Sequence, residues 1–197
     1  MEWTQRFDLF LACVLFSLLA GLLCDMALRQ YIKQAGKPPV TAGVVMVVTA
    51  VFTGLYGFTL TALRCVLLCH ILILAGAADI ATREIPDIFH LLIATVGLVG
   101  FHPFSALMGF LLVPLPFLAA ALKTGKIGGG DVKLMAASGF ALGVRDGFWM
   151  MVWGLAMALL WNQCRHWRRK TVSTAGASIP LAPFLAVGCF MTLLANA

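Results

Sequence analysis

Apolar runs, interrupted only by short polar turns, leave this chain few ways to fold. Hydrophobic residues make up 61% of it and charged residues 11%, against roughly 45–50% and 25% in soluble domains. That much apolar surface cannot all be buried in one soluble core of 197 residues, so lipid must solvate a large part of it. The sequence therefore predicts an all-α, polytopic membrane helix bundle embedded in a lipid bilayer. The net charge of +6 then reports orientation rather than nucleic-acid binding.

A spanning helix needs roughly 20 apolar residues. Eight segments are expected to be transmembrane helices: 7–28, 40–57, 60–79, 88–101, 105–122, 132–143, 147–163 and 181–196. Pro114 and Pro116 should kink the fifth, and Arg145-Asp146-Gly147 should turn the chain between the sixth and seventh. The first run is longer than a signal-peptide core and lacks a basic flank, so it reads as a retained helix. With the N- and C-termini outside, Arg29, Lys33, Lys37, Arg83, Lys123, Lys126, Lys133, Arg165, Arg168, Arg169 and Lys170 all fall on the inner side. Only Arg6, Arg64 and Arg145 fall outside. This is a strong positive-inside bias. The chain divides into an N-terminal helix with a short loop (1–39) and a core (40–197) within one membrane domain, 1–197. Residues 171–178 read as a flexible loop.

The same assignment puts two costly residues at one face. Asp79 ends an apolar run and opens Asp79-Ile80-Ala81-Thr82-Arg83-Glu84-Ile85-Pro86-Asp87. Asp131 closes Gly128-Gly129-Gly130-Asp131 ahead of another run. A carboxylate at the edge of hydrocarbon costs a few kcal/mol unless a function or a partner justifies it. Two carboxyls a few ångströms apart share one proton, because both cannot ionise cheaply. Such a pair can hydrolyse a peptide, one member taking a proton from water and the other donating a hydrogen bond to the scissile carbonyl. Gly128 and Gly130 permit positive φ and close backbone approach, as an extended substrate strand requires. Lys133 is a supporting charge at the same site.

Other readings of these residues stand beside that one. Asp131 is placed to cap the helix it precedes, Asp79 to pair with Arg83, Asp87 to cap the next helix, and Asp25 to pair with Arg29. Glu84 reads as a solvated loop charge. Lys133 can snorkel to the membrane surface. The run Arg165-His166-Trp167-Arg168-Arg169-Lys170 is most simply a headgroup-level anchor. His90, His102 and His166 stand at boundaries with no partner pattern. Cys65 and Cys69 share a helix face as small packing residues, with no further ligands for a metal.

At three stretches the chain resembles the type IV prepilin peptidases, membrane aspartic proteases of the G-x-G-D type. They are Asp79 through Ile85-Pro86-Asp87, then Gly128-Gly129-Gly130-Asp131-Val132-Lys133-Leu134-Met135-Ala136-Ala137, and finally Ile179-Pro180-Leu181-Ala182-Pro183-Phe184-Leu185-Ala186. Order and spacing agree over residues 40–197. The resemblance implies that Asp79 and Asp131 are the catalytic pair. It implies that the partners are type IV prepilins or type II secretion pseudopilins, cut between a basic leader and an apolar helix at the cytoplasmic face of the bacterial inner membrane. Bifunctional members carry a cytoplasmic insert with two C-x-x-C pairs that binds zinc, and they also methylate the product. Here the corresponding loop, Arg29 to Pro39, is short and has no cysteine, which implies a peptidase-only form with no metal and no cofactor. Two other functions fit the pair of carboxyls less closely: a proton-coupled transporter using them as a relay, and a non-catalytic assembly factor of a secretion machine.

Overall fold

The structure, a computed structural model, describes residues 3–31, 41–125, 127–168 and 179–197. Lys33, Lys37, most of the short loop from Arg29 to Pro39, Lys126, Arg169, Lys170 and the loop expected over 171–178 lie outside these residues. Among the described residues every regular element is a helix: α1 (Trp3–Tyr31), α2 (Thr41–Tyr56), α3 (Leu60–Thr82), α4 (Asp87–Gly97), α5 (Pro103–Leu112), α6 (Leu115–Thr124), α7 (Gly129–Arg168) and α8 (Ala182–Ala195). Among the described residues, three stretches are long and apolar enough to cross a bilayer, Asp8–Met26, Leu60–Thr82 and Pro103–Thr124. The expected bundle of membrane helices is present, while eight crossings go beyond what helix length and composition establish.

Local chemistry sets the helix ends. The Thr59 hydroxyl accepts the Ala62 N–H at 3.2 Å and caps α3, satisfying one of the donors a helix start leaves unpaired. Arg83 closes α3 in the left-handed region at φ 61°. Pro103 opens α5 at a position where its missing N–H costs nothing. The break between α5 and α6 falls at Val113-Pro114, as the prolines led one to expect.

The expected turn at Arg145-Asp146-Gly147 is corrected. Those residues are helical, and α7 breaks instead at Gly143 (φ 82°, ψ −176°). Only glycine adopts that conformation without strain. The chain folds back there: a Cβ added to Gly147 would lie 3.4 Å from Gly139 Cα. The two arms of α7 thus correspond to the sixth and seventh expected segments. Arg64, at the far end of α3, donates to the Ala141 carbonyl beside the break.

Two helices organise the rest. α2, α4 and α8 pack on α3, while α4, α5 and α8 pack on α7, with α1 against α2 at the margin. Phe52, Leu72, Ile93, Leu134, Met135 and Leu185 fill the centre. Cys65 and Cys69 are free and buried there, as packing residues should be. Small residues bring the backbones together. A Cβ on Gly109 would stand 2.0 Å from the Gly139 carbonyl oxygen, and one on Gly76 would stand 2.8 Å from Pro183 Cα. The outward surface is rich in leucine and phenylalanine, with Phe104 and Leu122 among the most exposed side chains, as a lipid-facing surface should be. Asp25 is buried and accepts from Thr41 Oγ1 and from the Ala42 N–H at 3.3 Å, joining α1 to the start of α2. The Arg29 side chain, its expected partner, is outside the described residues.

Candidate active site

The C-terminal end of α3 meets the N-terminal ends of α4, α7 and α8. Asp79 lies in the last full turn of α3, which runs on to Thr82. Its side chain is buried, at 7% exposure. The approach of α8 permitted by Gly76 brings the Ala182 N–H to 3.1 Å from Asp79 Oδ2. Ala182 is the first residue of α8, so the carboxylate sits where a helix presents unpaired N–H groups and the positive end of its dipole. This contact joins residues 103 positions apart, and it gives the third resemblance motif a physical purpose.

Asp131 is not the N-cap residue of α7. α7 starts at Gly129, and Asp131 is in its first turn, with its N–H bonded to the Gly128 carbonyl at 3.2 Å. Its carboxyl pKa is pushed up to about 6, first by burial and then by the negative charge of Asp79, while a backbone hydrogen bond from Gly128 acts in the opposite direction. The two aspartates that were distant in sequence line one polar cavity of about 420 Å³, together with Arg83, Glu84, Asp87, Gly128–Gly130 and Lys133. Every residue proposed from sequence as part of the site lies on this wall.

The cavity departs from expectation in three details. Gly128 and Gly130 do not use positive φ; among the described glycines it is Gly57, Gly100, Gly125 and Gly143 that do. A Cβ on Gly130 would make only ordinary contact with Ile85 at 3.6 Å, and one on Gly129 would meet nothing, so this stretch is bare backbone beside open space. Lys133 donates to Asp87 Oδ1 at 2.8 Å. Asp87 makes no capping bond at α4; the Lys133 ammonium holds its carboxyl below the usual range. Glu84 is exposed, as a loop charge should be.

His90, expected from the sequence to have no partner pattern, has two neighbours in the site. Its Nε2 lies 3.2 Å from the Gly130 carbonyl, and its Nδ1 lies 3.4 Å from Asp87 Oδ1. The imidazole therefore ties the start of α4 to the glycine turn ahead of Asp131. Its position three residues after Asp87, on the same helix face, was the signal available.

Chemically, the cavity offers two carboxyls, with the charge of Asp79 acting on Asp131, one held by a helix start and one raised toward neutrality. A proton relay across a bilayer calls for acidic groups part-way along a span, whereas both of these sit at helix ends. Among the described residues no group of histidine, cysteine and acidic side chains is arranged to hold a metal ion.

No curated protein and no solved structure matches the chain. Residues 66–194 match the model of the type IV leader peptidase family. That match takes in α3 from Val66, both aspartates and most of α8, and with it covering well over half the sequence, the chain belongs to the type IV leader peptidase family.

Proposed function

We propose that this protein is an aspartic endopeptidase that removes the basic leader from type IV prepilins or type II secretion pseudopilins, at the cytoplasmic border of the bacterial inner membrane. The observation that carries the reading is the shared cavity of Asp79 and Asp131, close enough for one charge to act on the other. Asp131, with its carboxyl raised to about 6, is suited to hold the proton of the pair. Asp79, held by the Ala182 N–H, is suited to act as the base.

In the reaction, Asp79 takes a proton from water as the water oxygen attacks the scissile carbonyl carbon. Asp131 donates its hydrogen bond to the carbonyl oxygen as negative charge develops there. The C–N bond then breaks as the amine leaving group receives a proton from the pair. The open backbone at Gly128–Gly130 is where an extended substrate segment pairs, and Lys133 borders it. Residues 40–197 form the peptidase core, with the N-terminus outside and the aspartates inside.

Co-expression with a prepilin from the same genome, followed by mass spectrometry of the pilin N-terminus, tests this. The unsubstituted chain should yield shortened pilin. Asp79→Asn or Asp131→Asn should leave it full length, and a shortened product from either variant would refute the assignment.

A further inference from the structure

A second concavity adjoins the polar cavity. It measures about 800 Å³, is lined almost wholly by apolar side chains, and lies between α4, α5 and the first arm of α7. It shares Asp87 and Lys133 with the polar cavity, so the ion pair between them stands at the junction of the two. α4 and α5 each pack on α7 far more than on one another, which leaves a trough with α7 as its floor.

The lining is periodic. α7 contributes Lys133, Ala136, Ala137 and Phe140, and α4 contributes a face that runs from Asp87 to Ala94. These are the i, i+3, i+4, i+7 positions by which one helix presents a face to another. On the α7 floor Ala136 and Ala137 are small, between Lys133 and Phe140, while Leu91, Leu107 and Phe110 stand at the walls. Small residues flanked by large ones let a further helix approach closely in a bilayer. A disordered lipid chain needs no such floor. At the other side of the ion pair the polar cavity has more acidic than basic groups: Asp79, Glu84, Asp87 and Asp131 against Arg83 and Lys133. The two compartments in series suit a chain in which a cationic stretch is followed by an apolar helix.

We propose that the trough between α4, α5 and the first arm of α7 receives the apolar helix of the leader-bearing substrate, with the Lys133–Asp87 pair marking the point where that helix ends and the extended, scissile segment begins. This rests on the peptidase reading above, and it adds the path by which substrate reaches the aspartates: laterally from the bilayer, along α4 and α7.

Photo-crosslinking in full-length Asp131→Asn tests the trough without requiring cleavage. p-Benzoylphenylalanine would replace Leu91 or Leu107 in the trough, or Leu63 or Leu159 away from it, with a tagged prepilin from the same genome as the probe. All four positions are well exposed, at 64%, 53%, 53% and 70%, so accessibility alone does not favour the trough. Adducts from Leu91 and Leu107, mapping to the prepilin apolar segment, should exceed those from the other two about tenfold. Equal yields, or trough adducts only with phospholipid or a second copy of the chain, would overturn the proposal. Filling the floor supplies a kinetic test. Ala136→Trp should raise KM for intact prepilin about tenfold while leaving kcat/KM unchanged for a leader peptide that lacks the apolar segment, and loss of both or of neither counts against the trough. If the unsubstituted chain leaves prepilin uncut, the peptidase reading fails; if it cuts prepilin and the trough gives no excess of adducts, only the trough assignment fails.

Discussion

Asp131 ties stability and activity to pH in the same direction. Its carboxyl is raised from an ordinary 3.8 to about 6 in the folded protein, so the folded state holds this proton more tightly than the unfolded chain does. Stability from this group is fully present below pH 3.8 and is lost as pH rises through about 6. Asp131→Asn, measured by thermal unfolding in detergent at pH 7.5, should therefore be more stable than the parent by about 1–2 kcal/mol, allowing for solvent screening of a side chain only partly buried. Activity should follow the same proton. A pair that works with one proton loses it above about pH 6, and kcat should decline on that alkaline limb. In Asp79→Asn the negative charge beside Asp131 is gone, so its titration, followed by carboxyl NMR, should move down toward the ordinary range. His90→Ala should lower kcat about tenfold with little change in KM, because the imidazole positions the Gly130 backbone and does not need to meet the substrate. The two aspartates were legible because carboxylates beside apolar runs are rare and costly. The Ala182 contact was not, because every residue but proline carries the same N–H, and which one is used depends on where α8 packs. Lys133 likewise found Asp87, 46 residues away, through a helix crossing that no local pattern encodes.

At the level of the helices, close approach rather than side-chain bulk determines the crossings. α5 and α7 touch backbone to backbone at Gly109 and Gly139. Gly109→Leu should destabilise the protein by about 3 kcal/mol or more, since a Cβ 2.0 Å from a carbonyl oxygen forces the helices apart. Gly54→Ala, where an added Cβ meets nothing within 4 Å, should be neutral or slightly stabilising. Comparison of melting temperatures separates the two. Apolar runs between polar turns marked most of these elements to within a few residues. They misplaced the break in α7 because Arg145 and Asp146 look like loop residues, yet both have long or polar side chains that a helix tolerates at its surface. The actual break uses Gly143, one small residue inside an apolar stretch, whose left-handed conformation leaves no polar mark in the sequence.

Across the whole molecule, the distribution of Lys and Arg predicts which ends share a compartment, and labelling can check it. In a variant without native cysteines, Glu84→Cys and Thr124→Cys should react with a membrane-impermeant maleimide in inverted vesicles. Phe58→Cys and His102→Cys should react in right-side-out vesicles. Labelling of Glu84 and Thr124 positions from opposite sides would overturn the eight-crossing arrangement. The bond from Ala182 to Asp79 also orders events in time. While α8 is still inside the ribosome, a nascent chain already carries both acids in the bilayer, but the amide that steadies the first has yet to be delivered. On the peptidase proposal, the site is therefore complete only once α8 has entered the bilayer, so a polypeptide that stops before it should lack hydrolytic activity.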